Sequence, residues 1–311
     1  MAKEKAIIRS DMTRFQWTIM EMKKHKVAYV MVAPYFILFT LFTVVPVLLS
    51  LVLSFTSFDL LNWPKFIFLD NYIRLFLDDD VFITAIKNTL KFAVVTGPGS
   101  YLLSMLFAWF INELRPKVRS IMTLLFYAPS ISGNVYLIWT LFFSSDEYGI
   151  VNAWGMKLGL LSEPVLWFQD KKYIFVLCCC VALWTSLGTS FLTFIAGFQC
   201  VDFSLYEAGA VDGVKNRWQE LYYITMPYMR PQMMLGAILA ITGAFGFGGV
   251  ITNLVGFPSP DYCAHTIMHH LDDYGGQRFE MGYASAIATL LFLMMIGCNL
   301  LINRILRKIG T

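Results

Sequence analysis

Between two long uncharged stretches the chain reads Val201-Asp202-Phe203-Ser204-Leu205-Tyr206-Glu207-Ala208-Gly209-Ala210-Val211-Asp212-Gly213, and the segment runs on to Met226-Pro227-Tyr228-Met229-Arg230-Pro231. The nearest charges outside it are Lys172 upstream and Asp261 downstream. A charged, helix-forming, Gly-punctuated loop set between apolar runs marks a segment in water with something to dock. Leu205 to Val211 reads as a short helix, with Ser204 able to cap it and Glu207 in the first turn, where a carboxylate suits the helix dipole. Gly213 ends that helix, and a second one is expected from Lys215 to about Thr225. Pro227 and Pro231 limit its continuation.

Working outward, the chain is 57 % hydrophobic and 14 % charged, and the charges gather into short blocks. They leave six charge-free windows at 27–58, 92–112, 120–145, 173–201, 231–260 and 281–303. About 20 apolar residues cross the hydrocarbon core as a helix, so each window holds one span. None carries the polar face that a soluble core helix shows to water. The expected fold class is an all-α membrane protein with six transmembrane helices.

Basic residues orient the chain, because their excess marks the cytoplasmic side. Of 24 Lys and Arg, 16 fall in alternate segments: the block to residue 26, the turn at Arg115, Lys117 and Arg119, the loop with Lys215, Arg217 and Arg230, and the tail. Both termini and the Glu207 loop are therefore expected in the cytoplasm. The first apolar run exceeds the 7 to 15 residues of a signal peptide, so it reads as a retained span. Phe15 to Met22 reads either as an interfacial helix or as a plain positive anchor.

The residues offer little for chemistry. There is no GxxxxGK[ST] phosphate loop, no GxSxG elbow and no carboxylate pair within a span. Cys178, Cys179 and Cys180 sit inside a window, where Cys packs as a small apolar residue. His265, His269 and His270 lack further metal ligands beyond Asp272 and Asp273 and read as part of a surface helix. The run Asp78-Asp79-Asp80 reads as a solvated helix start. No catalytic residue, metal or cofactor is expected. Ionisable groups inside spans would signal a proton-coupled carrier, and the windows hold none. The energy for any transport should then come from a partner. A self-sufficient secondary transporter for a small polar solute remains the alternative, and an intramembrane enzyme is a third class.

The stretch Glu207-Ala208-Gly209-x-x-Asp212-Gly213, followed by Ile224-Thr225-Met226-Pro227, closely resembles the signature loop of ABC importer permeases for oligosaccharides related to maltose permease. Gly209 stands where that family most often has Ala. Phe68-Leu69-Asp70-Asn71-Tyr72-Ile73-Arg74 with Lys87-Asn88-Thr89-Leu90, and Tyr283-Ala284-Ser285-Ala286-Ile287-Ala288, resemble the family's lead into the second span and its start of the last. The resemblance implies a type I ABC importer permease architecture, a five-helix core plus a peripheral first helix. The corresponding divisions are a cytoplasmic segment at 1–26, the first transmembrane helix at 27–58 and a core at 87–305, with the coupling loop at 201–231. Glu207, Ala208, Gly209, Asp212, Gly213 and Pro227 would engage the ATPase. Implied partners are a second homologous permease, a cytoplasmic P-loop ATPase dimer, an extracytoplasmic solute-binding protein, an oligosaccharide and the lipid bilayer of a bacterial plasma (inner) membrane. No nucleic acid is expected.

Sugars need hydroxyl and amide partners and aromatic faces. Candidates for their pathway are Asn134, Tyr136 and Trp139, then Ser186 and Thr189, then Thr242, Phe245, Phe247 and Asn253. The resemblance matches Ser186, Thr189, Thr242 and Phe245 to sugar-lining positions, while Gly246 and Gly249 stand where the family pattern carries amides. The cluster Gly243, Gly246, Gly248 and Gly249 either unwinds the fifth span beside a cavity or serves close helix packing.

Overall fold

A computed structural model describes residues 14–133 and 135–306. Every regular element among them is helical, apart from one antiparallel bridge between Thr56 and Phe66. The chain divides into two compact units, one ending at Leu53 and one beginning at Ser54. The first holds α1 (Arg14–Lys24) and α2 (Lys26–Leu53). Apolar side chains are exposed along the length of α2, as lipid requires of a spanning helix. A π turn at Thr40–Val44 comes just before Pro46, whose missing N–H would otherwise break the hydrogen-bond ladder. The span stops at Leu53, short of the expected residue 58. The carbonyls of Ser54 and Thr56 there both accept from the buried Asn71 side chain at 2.9 Å, which draws the backbone out of the helix.

The second unit is organised around α3 (Asp80–Asn112). At 1.5 Å per residue this helix is about 50 Å long, and it starts well before the expected residue 92. Its charged head, including Lys87 and Lys91, continues the same hydrogen-bond ladder outside the apolar window. Then come α4 (Pro116–Ile131), α5 (Tyr136–Phe142), α6 (Ile150–Lys157), α7 (Lys171–Thr185) and α8 (Thr189–Gln199). Next are α9 (Phe203–Val211), α10 (Arg217–Glu220), α11 (Arg230–Phe245), α12 (Gly248–Val255), α13 (Ile267–Asp272) and α14 (Met281–Leu306).

Among the described residues, α2, α3 and α14 are each long and apolar enough to cross a membrane unbroken. The other three windows are bent helix pairs, by 85° between α4 and α5, 41° between α7 and α8, and 42° between α11 and α12. Six windows thus become three continuous helices and three broken ones. α3 packs against α7, α8 and α11, and α11 also packs against α14. Small residues let these helices approach: a Cβ on Gly97 of α3 would lie 3.6 Å from the Ala244 Cβ of α11.

The histidine segment is a correction. His265, His269 and His270 were expected on a surface helix and are each only 3 % exposed. They pack around Phe257, Tyr274 and Tyr283, and Asn88 anchors the segment by donating to the carbonyls of Tyr262 and His265. Asp79, also expected in solvent, N-caps α3 by accepting from the Phe82 N–H at 2.8 Å. Its Oδ2 meets His270 Nε2 at 2.9 Å and the Tyr283 hydroxyl at 2.8 Å. Burial raises the Asp79 pKa, but the hydrogen bonds from His270, Phe82 and Tyr283 outweigh it and hold the carboxylate at about 2.

Burial lowers His265 to about 3, helped by repulsion from His269 and His270, and lowers His269 to about 4. Both rings take up protons more readily in the unfolded chain, near 6.5. Folding stability is therefore full above that pH and falls as pH drops below it. At pH 5 the loss should be about 2 kcal/mol per histidine. Asp79 contributes stability down to its unfolded value of 3.8, so it adds nothing to this window. Thermal unfolding in detergent should show a lower Tm at pH 5 than at pH 7, and His269→Gln should flatten that dependence.

Candidate functional site

In the 201–231 loop the N-cap is Asp202, which accepts from the Ser204 N–H at 3.0 Å, and not Ser204. The helix consequently starts at Phe203, and Glu207 falls in its second turn. At the other end Gly213 takes φ +94°, and the N–H groups of Gly213 and Val214 bond back to the carbonyls of Ala210 and Gly209. This Schellman closure requires a residue that tolerates the left-handed conformation.

The next helix begins at Arg217, later than Lys215, because Asn216 caps it by accepting from the Gln219 N–H. Beyond Glu220 the chain stays helical through a π turn (Leu221–Thr225) and Met226–Tyr228. Pro227 does not stop it, but the helix ends at Tyr228, and Met229 turns the chain before Arg230 and Pro231 open α11. Each proline sits in the first turn of a new helical segment, where a missing N–H costs no hydrogen bond.

The loop is tied down on one side and open on the other. Gly209 is buried, and a Cβ there would meet Ile224 Cδ1 at 2.5 Å. The Tyr206 hydroxyl lies 2.9 Å from Thr225 Oγ1. Arg217 pairs with Glu113 at the end of α3, at 3.2 Å, and Trp218 stacks edge-on against Trp109 with centroids 4.7 Å apart. On the face of α9 turned away from Gly209 stand Phe203, Glu207 and Val211, spaced four residues apart. Phe203 is 71 % and Val211 87 % exposed, and Glu207 and Ala208 are exposed as well. Phe203 and Val211 escaped the sequence reading, although their spacing about Glu207 signals them. Asp212, Gly213 and Pro227 are exposed and complete the outline.

Gly209→Ala is expected to be nearly neutral, because the contacting Ile224 methyl can rotate away and Ala favours a helix over Gly by about 1 kcal/mol. Gly209→Leu cannot be accommodated so and should cost about 1–3 kcal/mol. Thermal unfolding of the two variants separates the outcomes.

A second feature lies midway along the spans. A cavity of about 280 Å³ opens where the α7–α8 and α11–α12 breaks face the middle of α3. Ser186 and Thr189 line it from one break, Gly246 and Phe247 from the other, Thr96 and Ser100 from α3, and Ser130 from α4. A Cβ on Gly188 would lie 2.9 Å from that of Ser130, so glycine allows α4 to approach the first break. In the glycine cluster both expected roles occur: Gly246 closes α11 at the bend, while a Cβ on Gly248 would press on Met268 at 2.9 Å.

Of the pathway candidates, Ser186, Thr189 and Phe247 thus come together. Thr242 does not line the cavity and is exposed, as are Gly246 at the cavity's edge, Gly249 and Asn253. Phe245 is not brought to the cavity. It is buried on the far side of α11, lining an apolar groove of about 360 Å³ with Pro98 and Tyr101. One residue changes the helix face by about 100°, which separates it from Gly246, while Ala244 borders both the groove and the cavity. Tyr136 and Trp139 pack against the cluster of Phe92 and Phe247. Asn134 lies outside the described residues. Thr96, Ser100, Ser130, Thr185 and Ser190 line the cavity without having been singled out, their one signal being a hydroxyl within an apolar window.

The family model of the binding-protein-dependent transport system inner membrane component matches residues 98–310, which take in the loop and most of the cavity. The chain belongs to this family of inner-membrane transport components. Among its relatives, the probable ABC transporter permease protein YesP of Bacillus subtilis is 31 % identical over 286 residues, 90 % of each chain. The arabinooligosaccharides transport system permease protein AraP of the same organism is 28 % identical over 92 % of this chain and 90 % of its own. The fold matches, with a TM-score of 0.75, that of a bacterial ABC transporter involved in the import of the acidic polysaccharide alginate. That match is 24 % identical and covers 96 % of this chain and all of the other. The permease is therefore a transport subunit.

Proposed function

We propose that this permease is one of two membrane subunits of an ATP-driven, binding-protein-dependent importer of oligosaccharides. The observation that carries the reading is the α9 surface. An exposed apolar and acidic helix face is seated through Gly209 and Tyr206 on Ile224 and Thr225 of the following turn, and Arg217, between them and that turn in the chain, ties the loop to the end of α3, the helix that also lines the cavity. A partner ATPase gripping Phe203, Glu207, Ala208 and Val211 would move the end of α3 and the breaks with it. Asp212, Gly213 and Pro227 set the shape of that grip. The basic excess puts this loop and both termini in the cytoplasm, where ATP is.

The exposed Thr242, Gly246, Gly249 and Asn253 are small or polar, suited to a second permease that would complete the pathway. The cavity supplies this subunit's half of the sugar route through Ser186, Thr189 and Phe247. Relatives such as AraP, whose name specifies arabinooligosaccharides, support the oligosaccharide class. In this reading the chain before α2 is a cytoplasmic segment, α2 (Lys26–Leu53) is the peripheral helix and the core runs from α3 through α14.

The test is to extract the tagged chain in mild detergent and identify by mass spectrometry what co-purifies. Recovery of a P-loop ATPase with a second, homologous permease is expected. Recovery of the chain alone, still active for uptake in liposomes without ATP, would overturn the proposal in favour of a secondary carrier.

A further inference from the structure

We propose that the cavity selects an uncharged, hydroxyl-rich solute and turns away sugars bearing a carboxylate, a conclusion that rests on the importer reading and narrows its substrate class. The lining contains seven hydroxyl side chains and no ionisable one. Six of the seven spend their proton on a backbone carbonyl. On α3, Thr96 donates to Phe92 at 2.7 Å and Ser100 to Gly97 at 3.0 Å. Ser130 donates to Tyr127 at 2.8 Å, and Ser186 to Leu183 at 2.7 Å. Thr185 bonds the Val181 carbonyl at 3.0 Å, and Ser190 crosses to that of Gly236 at 3.2 Å. Each such oxygen turns lone pairs, and no proton, toward the lumen. Thr189, exposed at the start of α8, is the lining hydroxyl whose proton stays free.

An acceptor-rich wall suits the many O–H donors of a neutral sugar. A carboxylate has only acceptor oxygens and would meet oxygen on most sides. The helix breaks do not supply the missing positive charge. At each one the N-terminus of the second helix faces the C-terminus of the first, so the opposed half-charges cancel within a turn. The N-terminal N–H groups of α8 at Thr189 and Ser190, which no side chain caps, can still donate to sugar oxygens. Phe247 provides an apolar face for the ring. An anion crossing here would be desolvated without a counter-charge.

The experiment uses the transporter as purified from its host with its co-purifying partners, reconstituted in vesicles with ATP on the coupling-loop side. Radiolabelled arabinotriose, maltotriose and lactose are compared with trigalacturonate and trimannuronate. ATP-dependent uptake is expected within the neutral set, with the uronates slower by about 100-fold or more. Uptake of either uronate at a comparable ATP-dependent rate would overturn the inference and leave the importer reading standing. Uptake of neither set, or uptake without ATP, would overturn the importer reading and the inference with it.

Discussion

Vesicles carrying Glu207→Lys are expected to lose ATP-driven uptake almost completely, while the protein still inserts and unfolds at the parent's temperature. Among the described residues Glu207 has no hydrogen-bond or ion-pair partner and is exposed, so the folded chain does not depend on it. A surface charge without partners changes stability by no more than about 0.5 kcal/mol. On the proposed docking face the same change is severe. It reverses a charge at the centre of an apolar rim, and juxtaposed like charges or a lost charged partner in an interface cost about 2–5 kcal/mol. Basal ATP hydrolysis by the partner should persist. Unchanged uptake would remove α9 from the coupling surface, and a fall in stability would mean that Glu207 serves the fold. Phe203→Ala and Val211→Ala, at the same face, should each weaken uptake partially with no thermal penalty.

Asp79→Ala should have the largest effect on stability, a loss of about 3–5 kcal/mol, because removing one member of a buried polar network leaves the others uncompensated. His270 Nε2, the Tyr283 hydroxyl and the Phe82 N–H would all lose their shared acceptor. The cap of α3 would go with them, in the helix against which most of the bundle packs. Asp79→Asn keeps an acceptor oxygen and should cost less than Asp79→Ala. Thermal unfolding in detergent and the yield of folded protein both report the result. A Tm for Asp79→Ala equal to the parent's would show that the network contributes nothing.

These two residues lay very differently in the sequence. Glu207 was legible because its environment is local: a polar run between apolar windows, with Gly213 needed for a left-handed turn wherever such a helix stops. Asp79 was read as a solvated helix start. It does start α3, but its burial comes from His270 and Tyr283, far along the chain, and no local pattern encodes that meeting. The histidines were misplaced for the same reason. A polar pattern reports an amphipathic segment and not which neighbours cover it. Ser204 was read as the cap where Asp202 serves, since a shift of two residues in register leaves the composition unchanged. Phe245 and Phe247 were both offered as pathway aromatics, with Phe245 the one the resemblance favoured, but the fold buries Phe245 in the apolar groove and brings Phe247 to the cavity.

The sequence by itself determined that the chain is helical, that six windows can cross a membrane, and where the water-exposed loop interrupts them. Those properties follow from the run length of apolar residues and from the cost of burying unpaired charge, and both are local sums. Tertiary structure alone decided where three of the six spans break, which hydroxyls share a cavity and which way their protons point. It also decided that a carboxylate and three histidines are buried together. These outcomes depend on contacts between residues distant in the chain, whose energies are set by packing geometry and by the hydrogen-bond partners that the fold brings within reach.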